Sequence, residues 1–452
     1  MSFINFLKKT FLTPVADKEE FLSEEEALSI NFKVIVIEFL ENIEYSSGEI
    51  LTALLKTKNY LSVSYFNEPF NKSFLNLEGR TFFDFIDKGQ AILDTSKADV
   101  IIWGYRENNK IRLNFQTAKQ YEKNNTGLIS LLDSLYLPTS IFEKAETFPS
   151  SVLNLIAGAI IASINTPTKQ LAIQQKYLLK KIIHTLSSDN SAKSMPLEFM
   201  PYIMNFLSII YLTYCQNSSQ SREYKIVDNL LNTATQHQDL IKEPVHLGCI
   251  YNHIGQLHNF AAKNLESNPS KHFKTAISYY QRAQKYLGKY TYPYDYGFIS
   301  FKLADLLYSY WRQKEDMQAL RDSVFNLREA EKIFTYTLFP EFWADIEGLL
   351  GHHMGILGSL TDNNAISELA IEAYKNQQKI ITEKRDPFAW AQIQENIGNL
   401  YYQIGRKNDD RNSLEESLEY FHEALYIFEN MELADNTKRL MSSIAKSSDL
   451  LL

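Results

Sequence analysis

The histidines are the first residues in this sequence whose type could do chemistry, as metal ligands or proton carriers. His352 and His353 are adjacent, and neighbouring residues of a helix point about 100° apart, which does not suit one shared metal ion. His246, His253 and His258 follow one another at intervals of seven and five residues, which match no compact ligand set. We therefore expect no metal site and interpret these three histidines as solvent-facing or groove-lining.

Catalytic and nucleotide-binding motifs are also missing from the sequence. It contains no Gly-x-Ser-x-Gly, no His-Glu-x-x-His and no phosphate-binding glycine-rich loop. Residues 40–44, which follow the first predicted strand, contain no glycine that could let a backbone approach a phosphate. We expect no catalytic residue and no cofactor. An enzyme with a site at the domain junction near residues 120–150 stays open as a less favoured alternative.

Composition limits the class of protein and its partners. The chain has 452 residues, a formal charge of −8 and 45% hydrophobic residues, which together indicate a folded protein of at least two domains. A negative net charge argues against nucleic-acid binding. The two cysteines, Cys215 and Cys249, form no ligand spacing, which favours a reducing compartment.

Location follows from the same kind of evidence. No run of about 18 uncharged apolar residues is present, and the N-terminus lacks the pattern of a signal peptide. We expect a cytoplasmic protein, and the abundance of Lys, Asn and Ile indicates an AT-rich bacterial genome. Residues 1–13 form an amphipathic pattern. This segment could contact the anionic inner face of a membrane, or it could pack on the protein itself. An acidic stretch completes this N-terminal segment, residues 1–29.

Residues 30–145 are predicted to form a small α/β domain. Strand patterns cover residues 32–40, 61–66, 98–106 and 110–117, with helical patterns at 48–57 and 80–95. Glu107, Asn108 and Asn109 lie between the last two strands and predict a hairpin turn. The order is βαβαββ, with helices packed on one sheet.

The last two strands carry a resemblance. Ala98–Gly104 (ADVIIWG) followed by Lys110–Leu113 (KIRL) resembles the strand and hairpin of TolB N-terminal/FlgO-like domains. The match covers some 20 residues well and about 90 loosely. Relatives of that domain occur in periplasmic or lipoprotein contexts, and the lack of a signal peptide here departs from them.

Prolines organise the rest of the chain. Pro149, Pro196, Pro244, Pro293, Pro340 and Pro387 are spaced by 47, 48, 49, 47 and 47 residues. Proline suits the first turn of a helix or the residue before it, so each is predicted to begin the first helix of a pair. Eleven residues after the last four prolines stands a small residue, which would let a second helix approach closely: Gly255, Ala304, Gly351 and Gly398.

The second helices repeat a small–large–small triplet at spacing i, i+4, i+7, as in Ser417, Phe421 and Ala424. Together with the small residue and the proline, this pattern resembles tetratricopeptide repeat proteins, most clearly over residues 240–430. The resemblance implies a helical solenoid over residues 146–435 and a capping helix over 436–452. Because the period is about 47 rather than about 34 residues, we expect longer helices and protruding loops between paired helices, such as Gly405–Arg411.

In tetratricopeptide families the first helices line a concave, ligand-binding face. Carried over position by position, the resemblance implies a peptide-binding groove formed by Asn252, Gln256, Asn259, Phe301, Asp305, Tyr308, His352, Gln392, Glu395 and Asn399. Amide side chains there could both donate to and accept from a peptide backbone. Acidic and amide groups dominate the set, so we expect a ligand of neutral or basic character.

These observations predict a two-domain α+β protein that is mostly α, with a small N-terminal βαβαββ domain followed by a tetratricopeptide-like α-solenoid. The predicted function is that of a bacterial scaffold or adaptor that binds a protein or peptide. The alternative is a membrane-surface scaffold or secreted host-directed effector positioned by its N-terminal region. The pattern indicates neither the partner nor the oligomeric state.

Overall fold

The computed structural model describes residues 31–40, 46–67, 80–118, 130–143, 145–166, 168–188, 195–216, 221–264 and 268–452. The predicted N-terminal segment 1–29, with its membrane-contact residues 1–13, lies outside the described residues. The chain is an α+β protein that is mostly helical, as predicted, with one small sheet near its N-terminus.

The described residues contain five strands and fifteen α-helices. The strands are β1 (Phe32–Ile37), β2 (Leu61–Phe66), β3 (Val100–Glu107), β4 (Lys110–Thr117) and β5 (Ser134–Pro138). The helices are α1 (Ser47–Leu55), α2 (Arg80–Ser96), α3 (Ser150–Ser163), α4 (Lys169–Ser188), α5 (Met200–Gln216), α6 (Ser221–Gln236), α7 (Pro244–Asn264), α8 (Pro269–Tyr286), α9 (Pro293–Lys314), α10 (Met317–Glu331), α11 (Pro340–Thr361), α12 (Asn364–Gln377), α13 (Pro387–Asn408), α14 (Arg411–Asn430) and α15 (Ala434–Asp449). Short 3₁₀ turns occupy Thr139–Phe142, Ala145–Thr147, Leu197–Phe199 and Gln238–Leu240.

The sheet has the strand order β2-β1-β3-β4-β5. β1 pairs in parallel with β2 and β3, so Val34 lies beside both Val63 and Val100. β3 and β4 form the predicted antiparallel hairpin around Asn108, which has a φ of 55°. A left-handed residue suits the two-residue hairpin turn, and asparagine tolerates it better than most side chains.

The fifth strand was not predicted. β5 adds to β4 in antiparallel register, with Leu113 beside Leu135, and extends the predicted βαβαββ order to βαβαβββ. Its five residues are wholly buried and end at Pro138. A buried strand this short shows no alternation of polar and apolar residues.

A buried polar contact joins the sheet region to the helices of the first compact unit, residues 1–299. His253 on α7 lies 3.3 Å from Asp133, and both side chains are fully buried. Asn205 on α5 donates to Asp133 Oδ1 at 2.9 Å and contacts His253 Nδ1 at 2.7 Å. A buried carboxylate requires such partners because leaving it unpaired costs several kcal/mol.

The prediction that His246 and His253 face solvent or a groove is therefore wrong. His246 is also buried, and its Nε2 lies 3.3 Å from a carboxylate oxygen of Glu243. The residue pattern of α7 predicts a helix. It does not show that other elements of this unit cover both sides of that helix.

Helices in both compact units pack in adjacent pairs, α7 with α8, α11 with α12 and α13 with α14. α7, α9, α11 and α13 each begin at a proline of the repeat, as predicted, and α3 begins directly after Pro149. Pro196 instead precedes a 3₁₀ turn, and α5 begins only at Met200. Within the pairs, a β-carbon placed at Gly255, Gly351 or Gly398 would lie 2.7 to 2.8 Å from the ring of Tyr280, Tyr374 or Phe421, respectively. Glycine at this position therefore allows a ring of the second helix to contact the first-helix backbone.

The connections within the pairs are shorter than predicted. Gly405–Arg411 is not a protruding loop: α13 continues to Asn408, and only two residues separate it from α14, which begins at Arg411. Asp409 has a φ of 55°, and the side chain of Asp410 accepts from the backbone of Asn412 as an N-cap. The pairs α9/α10 and α11/α12 have the same two-residue connection, a left-handed residue followed by an N-cap. The extra residues of the long repeat therefore lengthen the first helix.

The last helix, α15, packs against α13 and α14. Leu440 of α15 joins a buried cluster with Ala391, Phe421, Ala424 and Phe428. The ring of Phe421 is thus covered by the glycine backbone and by this cluster, and burying such a side chain contributes about 1.5 to 3 kcal/mol.

We predict that Gly398→Ala destabilises the protein by about 1 to 3 kcal/mol, although alanine favours helix, because the new methyl group overlaps the Phe421 ring. The measurement is the midpoint of thermal or urea unfolding. Gly288→Ala is the matched control, since its β-carbon would meet no atom closer than 3.9 Å. An unchanged midpoint for Gly398→Ala would show that the ring contact does not determine how these helices pack.

Candidate functional site

The first helices of the second compact unit, residues 300–452, present equivalent positions in register. Asp305, His352 and Asn399 each lie twelve residues after the proline that begins their helix. Asp305 and His352 are exposed and Asn399 is partly exposed. Tyr308 OH lies 2.8 Å from His352 Nε2, which links α9 to α11. The predicted ligand-facing positions of this unit thus lie on consecutive first helices.

A groove of about 260 Å³ lies between α11 and α13. It contains two of the residues predicted from the sequence, His352 and Asn399. Its lining is Gly351, His352, Gly355, Ile356, Ser359, Leu360, Tyr374, Asn396, Asn399, Leu400 and Gln403.

Two glycines of α11 shape the floor of this groove. Gly351 and Gly355 lie one turn apart on α11, and their β-carbons would lie 2.8 Å from the Tyr374 ring and 3.0 Å from Leu400. Larger residues would push α12 and α13 away from α11. The floor is therefore formed by backbone and by the apolar surfaces of Tyr374 and Leu400.

The sides of the groove are polar and rich in amides. Asn396, Asn399 and Gln403 lie on α13, and His352 and Ser359 lie on α11. Gln403 Oε1 is buried and has no hydrogen-bond partner. Each amide can donate and accept at once, so this surface can satisfy both the N–H and the C=O groups of an extended polypeptide.

The two adjacent histidines have different roles in this unit. His353 is buried, its Nδ1 lies 2.8 Å from Ser323 Oγ, and Tyr308 stacks on it at 4.2 Å. Burial, helped by the neighbouring His352, lowers the pKa of His353 to about 3. Burial and the charge of Arg312 lower the pKa of the His352 imidazole as well. Both are neutral at neutral pH, so neither adds positive charge to the groove.

The other residues predicted to bind a ligand differ in their exposure and in their contacts. Glu395 accepts two hydrogen bonds of 2.7 Å from the Arg439 guanidinium on α15. Gln392 is exposed near the start of α13. Phe301 is buried. In the first unit Asn252 and Gln256 are buried, and Asn259 is partly exposed.

Sequence reasoning missed three polar residues of the groove, Ser359, Asn396 and Gln403. Asn396 and Gln403 lie one turn before and after Asn399, on the same side of α13 as that residue. A search for polar residues at i−3 and i+4 from each predicted position would have found them.

A buried carboxyl group lies beneath the exposed side of α11. Glu347 is fully buried, and Asn376 Nδ2 donates to its Oε2 at 3.3 Å. Burial and, next, the negative charge of Glu331 raise the pKa of Glu347 well above its usual value. The equivalent position of the next repeat is Gln394, which donates to Glu423. The two repeats thus use the same amide–carboxyl pair with the two residue types exchanged.

We predict that Glu347→Gln stabilises the protein at about pH 9 by roughly 1 to 3 kcal/mol and changes its stability little at about pH 5. Because the folded-state pKa is raised, the protonated carboxyl contributes stability that is fully present below the unfolded-state pKa and lost as pH rises through the folded-state pKa. Glutamine has no proton to lose. The measurement is the unfolding midpoint across this pH range.

The matched control for this experiment is Glu372→Gln, which neutralises an exposed carboxylate on the neighbouring helix α12. It should leave the difference between high and low pH unchanged. If the unfolding midpoints of the two variants change with pH in the same way, the loss of one negative charge explains the effect and the burial of Glu347 does not.

In the part of the chain that the structure describes, no three side chains drawn from His, Cys, Asp and Glu are grouped as metal ligands. Among the helices so described, none has both the length and the apolar character needed to cross a bilayer. No protein-family model matches the chain, and no curated protein shows significant similarity to it.

Proposed function

We propose that the second compact unit is a tetratricopeptide-like module that binds an extended polypeptide across its first helices, and that the chain acts as a bacterial cytoplasmic adaptor. The observation that carries the proposal is the amide-lined groove between α11 and α13. It joins a solvent-accessible polar surface to an apolar floor, as peptide-binding sites do.

The amide side chains define the kind of ligand. Asn396, Asn399 and Gln403 follow one side of α13 over about two helical turns, a length that several peptide units of an extended chain would cover. A hydrogen bond between such an amide and a peptide backbone is worth about 0.5 to 1.5 kcal/mol. A bound segment would thus gain affinity from its main chain and selectivity from the floor.

Electrostatics favour a neutral or basic segment. The groove contains no Lys or Arg among its lining residues, and both neighbouring histidines are neutral at physiological pH. An acidic C-terminal carboxylate would find no matching cation in the groove. Asp305, exposed at the equivalent position of the preceding helix, adds negative charge on the same unit.

We expect that Asn396→Ala, Asn399→Ala and Gln403→Ala, combined in one chain, weaken peptide binding by at least about tenfold, because three amides no longer pair with the peptide backbone. Peptides would first be selected from a random library on the intact chain. Their dissociation constants would then be compared between chains by fluorescence anisotropy.

The control chain carries Asn412→Ala and Asn430→Ala, which remove two exposed amides from the second helix α14. It should bind the selected peptides as the intact chain does. Selected peptides that bind the triple variant at full affinity would refute a groove between α11 and α13. A library that yields no binder at all would argue against peptide binding as the function.

A further inference from the structure

Three side chains from three helices of the first compact unit meet at one point. Tyr224 lies on α6, His258 on α7 and His272 on α8. The two histidines face each other through Nδ1, at 3.0 Å. The Tyr224 hydroxyl lies 3.1 Å from His258 Nδ1 and 3.5 Å from His272 Nδ1. The three donor atoms therefore form a nearly equilateral triangle.

The size of this triangle matches the ligand geometry of a transition metal. Zinc bonds to histidine nitrogen and to oxygen at about 2.0 to 2.2 Å, so two ligands at tetrahedral angles lie about 3.3 Å apart. Edges of 3.0, 3.1 and 3.5 Å leave a point about 2.0 Å from all three atoms, just above their plane.

Hydrogen bonding alone does not satisfy this arrangement. A neutral imidazole carries one proton on its two nitrogens, and the phenol carries one. If both Nδ1 atoms were protonated, their protons would point at each other across the 3.0 Å contact. Tyr224 and one Nδ1–H can therefore supply two of the three contacts. A cation would satisfy all three.

We propose that Tyr224, His258 and His272 bind a divalent transition-metal ion of the zinc class. The donor set of two imidazole nitrogens and one phenolate oxygen suits Zn²⁺ and Cu²⁺ better than the harder Mg²⁺ or Ca²⁺. Binding releases the phenol proton to solvent, so the bound tyrosine is a phenolate.

The surroundings are compatible with loading from solution. All three side chains are partly exposed, which leaves an entry path for the ion. Asp228 lies one turn after Tyr224 on α6 and interacts with His272 through its charge. Water can complete a fourth coordination position.

The test uses untagged full-length protein, first stripped with a chelator and then titrated with Zn²⁺ by calorimetry. We expect one Zn²⁺ per chain, with affinity weakened more than about tenfold by Tyr224→Phe, His258→Ala or His272→Ala. Zn²⁺ should also raise the unfolding midpoint of the intact chain, and it should do so less for each variant. With Cu²⁺, the intact chain should show a tyrosinate-to-copper absorption band that Tyr224→Phe removes.

The control chain carries His184→Ala and His422→Ala, which remove two exposed histidines elsewhere, and should bind Zn²⁺ as the intact chain does. Tyr224→Phe keeps the ring, so the circular dichroism of this variant should match that of the intact chain. No stoichiometric Zn²⁺ binding to the intact chain would overturn the proposal. Binding that survives loss of both His258 and His272 would equally overturn it, because the ion would then lie elsewhere.

Discussion

The close approach of a glycine on one helix to a ring on its partner is the contact on which the helix pairs depend. Gly398 and Phe421 show it most fully, because the same ring also fills the cluster closed by Leu440 of α15. A ring that contacts helix backbone brings the two axes nearer than side chain against side chain would allow. In the α9/α10 pair the equivalent residues are Ala304 and Leu327, both buried, so the first helix keeps a small residue at this position.

Close pairing has an electrostatic consequence, since polar residues between the helices become buried and must be matched there. Glu347 with Asn376 and Gln394 with Glu423 occupy the same two positions of successive repeats. One amide and one carboxyl serve in either order, because the hydrogen bond requires one donor and one acceptor and not a particular residue at each place. Glu347 is the more deeply buried of the two carboxyl groups, and Glu331 lies beside it. Protonation of Glu347 is the simplest way to relieve the repulsion between these two groups.

Much of the fold could be predicted because its signals are local. A proline at a helix start and a small residue eleven positions later reflect backbone geometry within one repeat, and both predictions hold for α7, α11 and α13. The wrong predictions concern features that depend on distant parts of the chain. Burial of His253 depends on Asp133, which precedes it by 120 residues, and β5 is a strand because β4 lies beside it. The connection at Asp409 and Asp410 is shorter than predicted, because the prediction took the length of the first helix from the shorter tetratricopeptide repeat.

The same distinction explains why candidate sites are harder to predict than helices. His352 and Asn399 both line the groove because equivalent positions of successive repeats lie side by side, so a linear period becomes a spatial row. Tyr224, His258 and His272 have no such period, because three different helices contribute one donor each. A repeat that specifies only the contacts between its own helices leaves the exposed positions free to vary. Any site at those positions therefore depends on which side chains the packing brings together.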